Sequence, residues 1–165
     1  MKNYHEFVIN GIIPATQEAY KKSGVDIYVR KKESSSLKTF KKVVTAGLSE
    51  NKPPSLFPTT KVVFVAIIQF FTSTKKDYKT RDVDNMAKTI LDILQQNKFY
   101  ENDSQVRTLL VTKMVNIDEV PQNLGFVYIK ILEDGEDIPA IEGLKKGALK
   151  LYEDLKENLE PEAIN

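Results

Sequence analysis

An almost uninterrupted apolar run, KVVFVAIIQFF at residues 61–71, constrains the fold more than any other segment of the chain. Its residues are mainly β-branched and aromatic, which favours a strand over a helix. A strand that is apolar on both faces has to be covered on both sides, so we expect a buried central strand. Residues 51–58 before it are rich in proline and predict a linker loop. Residues 73–81 after it are polar and basic and also predict a loop.

The remaining elements follow from hydrophobic periodicity and turn residues. We expect short strands at residues 4–9 and 25–29, with a loop over residues 11–24. Helices are predicted from a cap at residues 34–36 to about residue 48, from an N-cap at Asp84 to about residue 95, and over residues 140–159. The first helix has an apolar stripe made of Leu37, Phe40, Val43, Val44 and Leu48. Strands are predicted at residues 105–116 and 124–132, and their short connection favours an antiparallel hairpin.

This order of elements predicts the α+β class: a small mixed sheet with two helices packed on it and a C-terminal acidic helix. The length of 165 residues is typical of one core. We divide the chain into residues 1–132, which form the expected domain, and an acidic extension at residues 133–165. The extension contains ten acids and four lysines, a net charge of −6, which leaves a net +7 on residues 1–132. A basic body is compatible with a polyanionic partner.

Composition excludes several kinds of site. The chain has no cysteine and one histidine, His5, so it has no disulfide, no thiolate nucleophile and no zinc site built from several histidines. A bound metal would need oxygen ligands, which favours magnesium, manganese or calcium. No apolar run reaches the roughly 20 residues that span a bilayer, and the first residues have no signal-peptide pattern. We expect a cytoplasmic protein.

Most of the candidate catalytic and metal-binding residues lie in one segment, residues 81–106, with the sequence RDVDNMAKTILDILQQNKFYENDSQV. Asp82, Asp84 and Asp103 are carboxylates that could hold a divalent cation against a phosphate. Lys88, one helical turn after Asp84, could stabilise charge on that phosphate. The alternative is structural: Asp84 caps a helix, Asp84 and Lys88 form an ordinary pair, and Asp103 caps a turn.

This segment resembles the RusA family of Holliday-junction resolvases, which are often carried by phages and prophages. The family pattern is a basic residue, D-x-D-N, a lysine three residues after the Asn, a helix containing an Asp, and an acidic pair before a short A/S-Q-V. The matching residues here are Arg81, Asp82, Asp84, Asn85, Lys88, Asp92, Asn102, Asp103, Ser104, Gln105 and Val106. Asn102 departs from the pattern because it replaces the first acid of the pair. The resemblance covers residues 4–132 in architecture and is strongest at residues 81–106.

The resemblance implies a homodimeric endodeoxyribonuclease of recombination and repair that uses Mg²⁺, with Mn²⁺ as a possible substitute. It would cut four-way DNA junctions symmetrically in a bacterial or phage-infected cell. Carried over residue by residue, Asp82, Asp84 and Asp103 are the metal ligands, and Lys88 is catalytic beside them. Asn85 and Asp92 are supporting residues.

Basic residues around the motif are the expected DNA contacts, because phosphate binding needs lysine and arginine. They are Lys75, Lys76, Lys79 and Arg81 before the acids, and Arg30, Lys31 and Lys32 earlier in the chain. Three other functions stay open from the residues alone. They are a non-catalytic DNA-binding or regulatory module that keeps the fold, a nuclease for flaps or other branches, and a structural protein with helix caps in place of a site.

Overall fold

The structure is a computed structural model that describes residues 4–14, 20–22, 28–30, 35–50, 57–72, 76–115, 125–133 and 141–159. The strands in this part of the chain are β1 (Tyr4–Asn10), β2 (Tyr20–Lys22), β3 (Tyr28–Arg30), β4 (Val63–Phe71), β5 (Val106–Val115) and β6 (Gly125–Glu133). The helices are α1 (Ser35–Glu50), α2 (Lys76–Thr80), α3 (Val83–Gln96) and α4 (Ile141–Leu159).

Four strands form a mixed sheet in the order β1-β6-β4-β5, and β2 and β3 form a separate antiparallel pair. All nine residues of β4 are buried, and β4 lies between β6 and β5. The predicted central strand and the predicted α+β class are therefore confirmed.

Helix α3 connects β4 to β5, which run parallel. A parallel pair needs a crossover that returns the chain to the start of the sheet, and a helix is the usual solution. Helix α3 therefore begins near the end of β4 and ends near the start of β5. This direction decides where the acids of the motif lie.

Each face of the sheet packs against different helices. The α3 face is the side of β4 that carries Val63, Val65 and Ile67, and it packs against apolar residues of α1 and α3. The α4 face is the opposite side of β4, with Phe64, Ala66, Ile68 and Phe70, and it packs against Leu144, Ala148 and Tyr152 of α4. In this layer the rings of Phe126 and Tyr152 stack at 3.8 Å between centroids. None of the helices in the described ranges is long and apolar enough to cross a membrane.

The predicted hairpin of the last two strands is wrong. Strand β5 pairs parallel with β4, and β6 pairs antiparallel with β4 and β1, so β4 separates β5 from β6. The buried β4 needs a neighbour on each edge, and this long-range requirement overrides the preference of consecutive strands for pairing.

Two predicted loops contain secondary structure. Residues 20–22, predicted as loop, form β2 because they pair with β3. The predicted loop at residues 73–81 contains α2, while residues 73–75 lie outside the described part of the chain. An ion pair of 3.5 Å between Arg81 and Asp77, at i and i+4, helps to stabilise this short helix.

Two details of the predicted helices also differ. Val43, predicted on the apolar stripe of α1, is 48% exposed, whereas Phe40, Val44 and Leu48 are buried. The buried stripe is narrower than predicted because only one side of α1 contacts the sheet. The N-cap of α3 is Asp82 rather than Asp84, because Val83 already has helical geometry.

Candidate active site

Two of the predicted acids lie at the start of α3. Asp82 is the N-cap, with φ −86° and ψ 140°, but its side chain makes no capping hydrogen bond. Asp84 is the second residue of the helix, and both aspartates are exposed. A helix N-terminus favours negative charge because its free N–H groups carry partial positive charge. The fold therefore supports two exposed carboxylates here, and the Asp82 side chain makes no capping hydrogen bond even though Asp82 is the N-cap residue.

The other predicted residues of α3 follow along the helix. Lys88 is exposed one turn after Asp84, while Asn85 and Asp92 are half-buried. The backbone carbonyl of Asn85 accepts a hydrogen bond of 3.0 Å from the Thr89 hydroxyl. Asp84 and Asp92 are two turns apart, roughly 12 Å along the axis at 1.5 Å per residue.

The third predicted acid, Asp103, is exposed on a single 3-10 turn at Asp103–Gln105. Asn102 is the N-cap of this turn, and its side chain accepts a hydrogen bond of 2.9 Å from the backbone N–H of Ser104. The Gln105 side chain accepts from the backbone N–H groups of Glu101 and Asn102, each at 2.9 Å. These contacts form a capping box, so Asn102 fixes the turn that presents Asp103.

Gln105 also binds this turn to the segment before β4. Its Nε2 donates to the carbonyl oxygens of Thr59 at 2.8 Å and Lys61 at 2.9 Å. The family motif alone, in which Gln105 is one of the matching residues, does not predict this function. The signal was present, because an Asn followed three residues later by Gln has the spacing of a capping box.

Tyr100 shows where Asp103 lies relative to α3. Its hydroxyl donates a hydrogen bond of 2.9 Å to the carbonyl of Leu91, in the second half of the helix. Burial raises the pKa of Tyr100, and the negative charges of Asp103 and Asp92 raise it further. Asp103 follows Tyr100 by only three residues, so it lies near the Asp92 end of α3, whereas Asp82 and Asp84 lie at the other end.

One copy of the chain does not bring the three predicted ligands together. Among the described residues there is no group of three or more aspartate, glutamate, histidine or cysteine side chains that could hold a metal ion. Nor does any hydrogen bond or ion pair within the described ranges engage the carboxylates of Asp82, Asp84 or Asp103. The Asp84–Lys88 pair of the structural alternative is likewise absent there. The acids are thus exposed, have no such contact with any described residue, and lie at two separate places.

The predicted DNA contacts are only partly described. Lys79 is exposed on α2, at the same end of α3 as Asp82. Lys76 begins α2 and Arg30 ends β3, but their side chains lie outside the described residues. Lys75, Lys31 and Lys32 lie wholly outside them.

Arg81 is held by the protein rather than free at the surface. Its Nε donates a hydrogen bond of 2.9 Å to the carbonyl of Ile13, and a second nitrogen donates to the Thr80 hydroxyl at 3.1 Å. Together with the ion pair to Asp77, these contacts occupy most of its donors. The structure thus gives Arg81 a structural function just before the first acid.

A comparison with known protein families identifies the family to which this chain belongs. A family model described as endodeoxyribonuclease RusA matches residues 11–130, which is most of the chain and includes all three acids, Lys88 and the Gln105 turn. None of the curated proteins matches the chain. The family expected from the motif is confirmed, and the chain belongs to the RusA family of endodeoxyribonucleases.

Proposed function

We propose that this protein is a metal-dependent endodeoxyribonuclease that resolves four-way DNA junctions during recombination and repair in the cytoplasm. The observation that carries the proposal is the state of Asp82, Asp84 and Asp103. All three are exposed carboxylates without a hydrogen-bond or ion-pair partner among the described residues. Acids used only as helix caps would show capping hydrogen bonds, and these do not.

The donor set fits Mg²⁺ or Mn²⁺ in its chemistry. Carboxylate oxygens are the ligands that these hard cations prefer, and the chain has no cysteine. Asp82 and Asp84 would hold the cation, and Asp103 would complete the site. When bound, the cation supplies Lewis-acid stabilisation of the phosphate. Lys88 offsets negative charge on the same phosphate from one turn along α3.

The separation of the acids supports a homodimer. Asp103 lies on the turn between the C-terminal end of α3 and the start of β5, and Asp92 near that end is roughly 12 Å along α3 from Asp84 at 1.5 Å per residue. A carboxylate oxygen lies about 2 Å from the Mg²⁺ that it binds, so ligands of one cation must converge closely. We infer that Asp82 and Asp84 of one copy form a site with Asp103 of the other.

The outer edge of β5, which has no partner among the described strands, is the interface that would achieve this. Among the described strands, β5 pairs only with β4, and Leu109 in its middle is 40% exposed. A long apolar edge strand is a ready template for pairing with a second chain. Two copies of β5 related by a two-fold axis pair antiparallel, with the start of one strand beside the end of the other.

That pairing would bring opposite ends of the two helices together. The start of β5 follows the Asp103 turn, and its end lies beside the start of α3, where Lys113 binds the carbonyl of Arg81. Antiparallel β5 strands would therefore place Asp103 of each copy near Asp82 and Asp84 of the other. The dimer would have two such sites, which suits paired cuts in a symmetric junction.

Cleavage of a synthetic four-way junction tests the proposed function, with linear duplex of the same sequence as the control. We expect paired symmetric nicks in the junction that require Mg²⁺ or Mn²⁺ and stop on chelation, with little cutting of the duplex. Tight junction binding without cleavage in either metal would overturn the proposal in favour of a non-catalytic binding module. Faster cutting of flaps than of four-way junctions would keep the nuclease but change its substrate.

A further inference from the structure

Two polar side chains lie side by side on the α3 face of the sheet, where β4 and β5 are otherwise mainly apolar. Gln69 of β4 and Lys113 of β5 are partners in the parallel register, and Gln69 is fully buried. Burying polar groups in a sheet costs free energy unless every group is hydrogen-bonded. We call Gln69 and Lys113 the polar pair. Its partners show why the fold tolerates it.

Lys113 binds the chain just before the first acid. Its Nζ donates hydrogen bonds of 2.9 Å to the carbonyl of Tyr78 and 3.0 Å to the carbonyl of Arg81. The same ammonium lies 4.4 Å from the centre of the Tyr78 ring, within the range of a cation–π contact. Lys113 thus satisfies carbonyls at the C-terminal end of α2 and holds the peptide that leads into Asp82.

Gln69 holds the same segment from the other side, through the chain after β1. Its side chain accepts from the N–H of Ile13 at 2.9 Å and donates to the carbonyls of Gly11 at 3.1 Å and Phe126 at 3.0 Å. The carbonyl of Ile13 in turn accepts from Nε of Arg81 at 2.9 Å. Arg81 is therefore fixed through both its side chain and its carbonyl.

We infer that Gln69 and Lys113 are positioning residues for the acidic end of the active site, acting through Arg81. Asp82 follows Arg81 directly, and its carbonyl accepts the hydrogen bond from the N–H of Met86 that begins α3. A constellation that binds a metal has to be held within about 0.5 Å, and this requires rigid support. The expected effect on metal binding and cleavage rests on the proposed function, whereas the positioning of the start of α3 does not.

Lys113→Met tests the inference, because methionine keeps the length of the side chain and removes its donors. The control is Lys130→Met, which removes another half-buried strand lysine, on the α4 face, that pairs with Glu6 at 3.2 Å. Lys113→Arg keeps the charge and donors. The four proteins, including the wild type, are compared by thermal stability, Mn²⁺ titration calorimetry without DNA, junction cleavage and hydrogen exchange at the amide of Met86.

We expect Lys113→Met to weaken Mn²⁺ binding and lower kcat by about 10- to 100-fold each, the usual effect of losing a group that orients metal ligands. KM for the junction should change much less, and Lys113→Arg should recover part of the loss. Lys130→Met should lose stability but keep the wild-type Mn²⁺ affinity. Exchange at Met86 should become faster in Lys113→Met alone.

Equal losses of Mn²⁺ affinity in the two methionine variants would overturn the inference, and so would unchanged exchange at Met86 in Lys113→Met. If the wild type neither binds Mn²⁺ nor cuts the junction, the proposed function fails. In that case faster exchange at Met86 in Lys113→Met, and not in Lys130→Met, still supports the positioning of α3 by Lys113.

Discussion

Gln105 lies two residues after Asp103, and its Nε2 donates a hydrogen bond of 2.8 Å to the carbonyl oxygen of Thr59. Because the same side chain also binds Lys61 and two backbone N–H groups of the Asp103 turn, it joins that turn to the segment before β4. The position of Asp103 therefore depends on the Gln105 side chain as well as on the Asn102 cap.

Replacing Gln105 with alanine should reduce both cleavage and stability. The variant loses four hydrogen bonds, each of which has a net contribution of about 1 kcal/mol at most when half exposed. Cleavage should fall by about 10- to 100-fold, as for other residues that orient ligands. Urea unfolding and junction cleavage measure the two effects. Gln105→Glu is the matched control, since it keeps the acceptor and loses the donor to Thr59. Cleavage at the wild-type rate in Gln105→Ala would show that Gln105 does not position Asp103.

Introducing a charge at Leu109 should separate the proposed dimer. Leu109→Glu places a carboxylate in the middle of the β5 edge, and two copies would bring like charges into the interface. We expect a monomer in analytical ultracentrifugation and loss of cleavage. The free energy of unfolding should change by no more than about 0.5 kcal/mol, as is usual for a surface substitution. Val43→Glu on α1 is the control, because Val43 is similarly exposed but lies on another element. A dimer that survives Leu109→Glu would place the interface elsewhere.

Mixing two inactive variants should restore nicking if each site uses acids from both copies. Asp84→Asn and Asp103→Asn are each expected to inactivate both sites of their own homodimer. A mixed dimer keeps one intact site, formed by Asp84 of one copy and Asp103 of the other. After random exchange of equal amounts of the two variants, about a quarter of all sites in the mixture should be active. These sites should give single nicks rather than paired cuts. No recovery after verified exchange would mean that each site lies within one copy.

Stability should decrease in mildly acidic solution because of His5. Burial lowers the pKa of His5 below its ordinary value of 6.5, although Glu6 acts in the opposite direction. Its Nε2 is buried without a hydrogen-bond partner in the described part of the chain, and its ring packs against Phe7 and Phe99. As the pH falls below 6.5, the unfolded chain takes up a proton before the folded one, so stability present above 6.5 is lost.

Urea unfolding at pH 7.5 and 5.5 measures this effect. We expect the difference in the free energy of unfolding between the two pH values to be smaller in His5→Phe than in the wild type. Both proteins share the titration of their carboxylates, which therefore cancels from the comparison. An equal pH dependence in the two proteins would show that His5 is not the group responsible.

Local sequence patterns predicted the helices and strands of this fold better than they predicted which strands pair with each other. The apolar run of β4 and the periodicity of α3 are properties of consecutive residues, and both elements lie where expected. The position of β5 beside β4 depends on contacts between distant segments. The short connection between β5 and β6 does not reveal these contacts, and it led to the wrong prediction of a hairpin. Helix α2 is short and polar, and its end is stabilised by Lys113, which lies more than 30 residues away.

The candidate site shows the same division. The sequence identified Asp82, Asp84, Lys88 and Asp103 as candidate site residues of one motif, and the structure exposes all four. It could not show that α3 separates Asp103 from the other two acids, because that follows from the direction of the crossover. Asn102 is a departure from the family pattern, and the structure explains why a neutral residue works there: it caps the Asp103 turn.

The exposed carboxylates at the start of α3 are proposed to carry the cleavage, and one comparison tests this most directly. Wild type, Asp84→Asn and Asp154→Asn, which changes an exposed aspartate of α4, are assayed for binding and cleavage of a mobile four-way junction with Mg²⁺. Asp84→Asn should lose at least about 100-fold in cleavage, the scale of losing one charge-stabilising group, and should bind the junction as well or better. Asp154→Asn should cut like the wild type. Undiminished cleavage by Asp84→Asn would contradict the account.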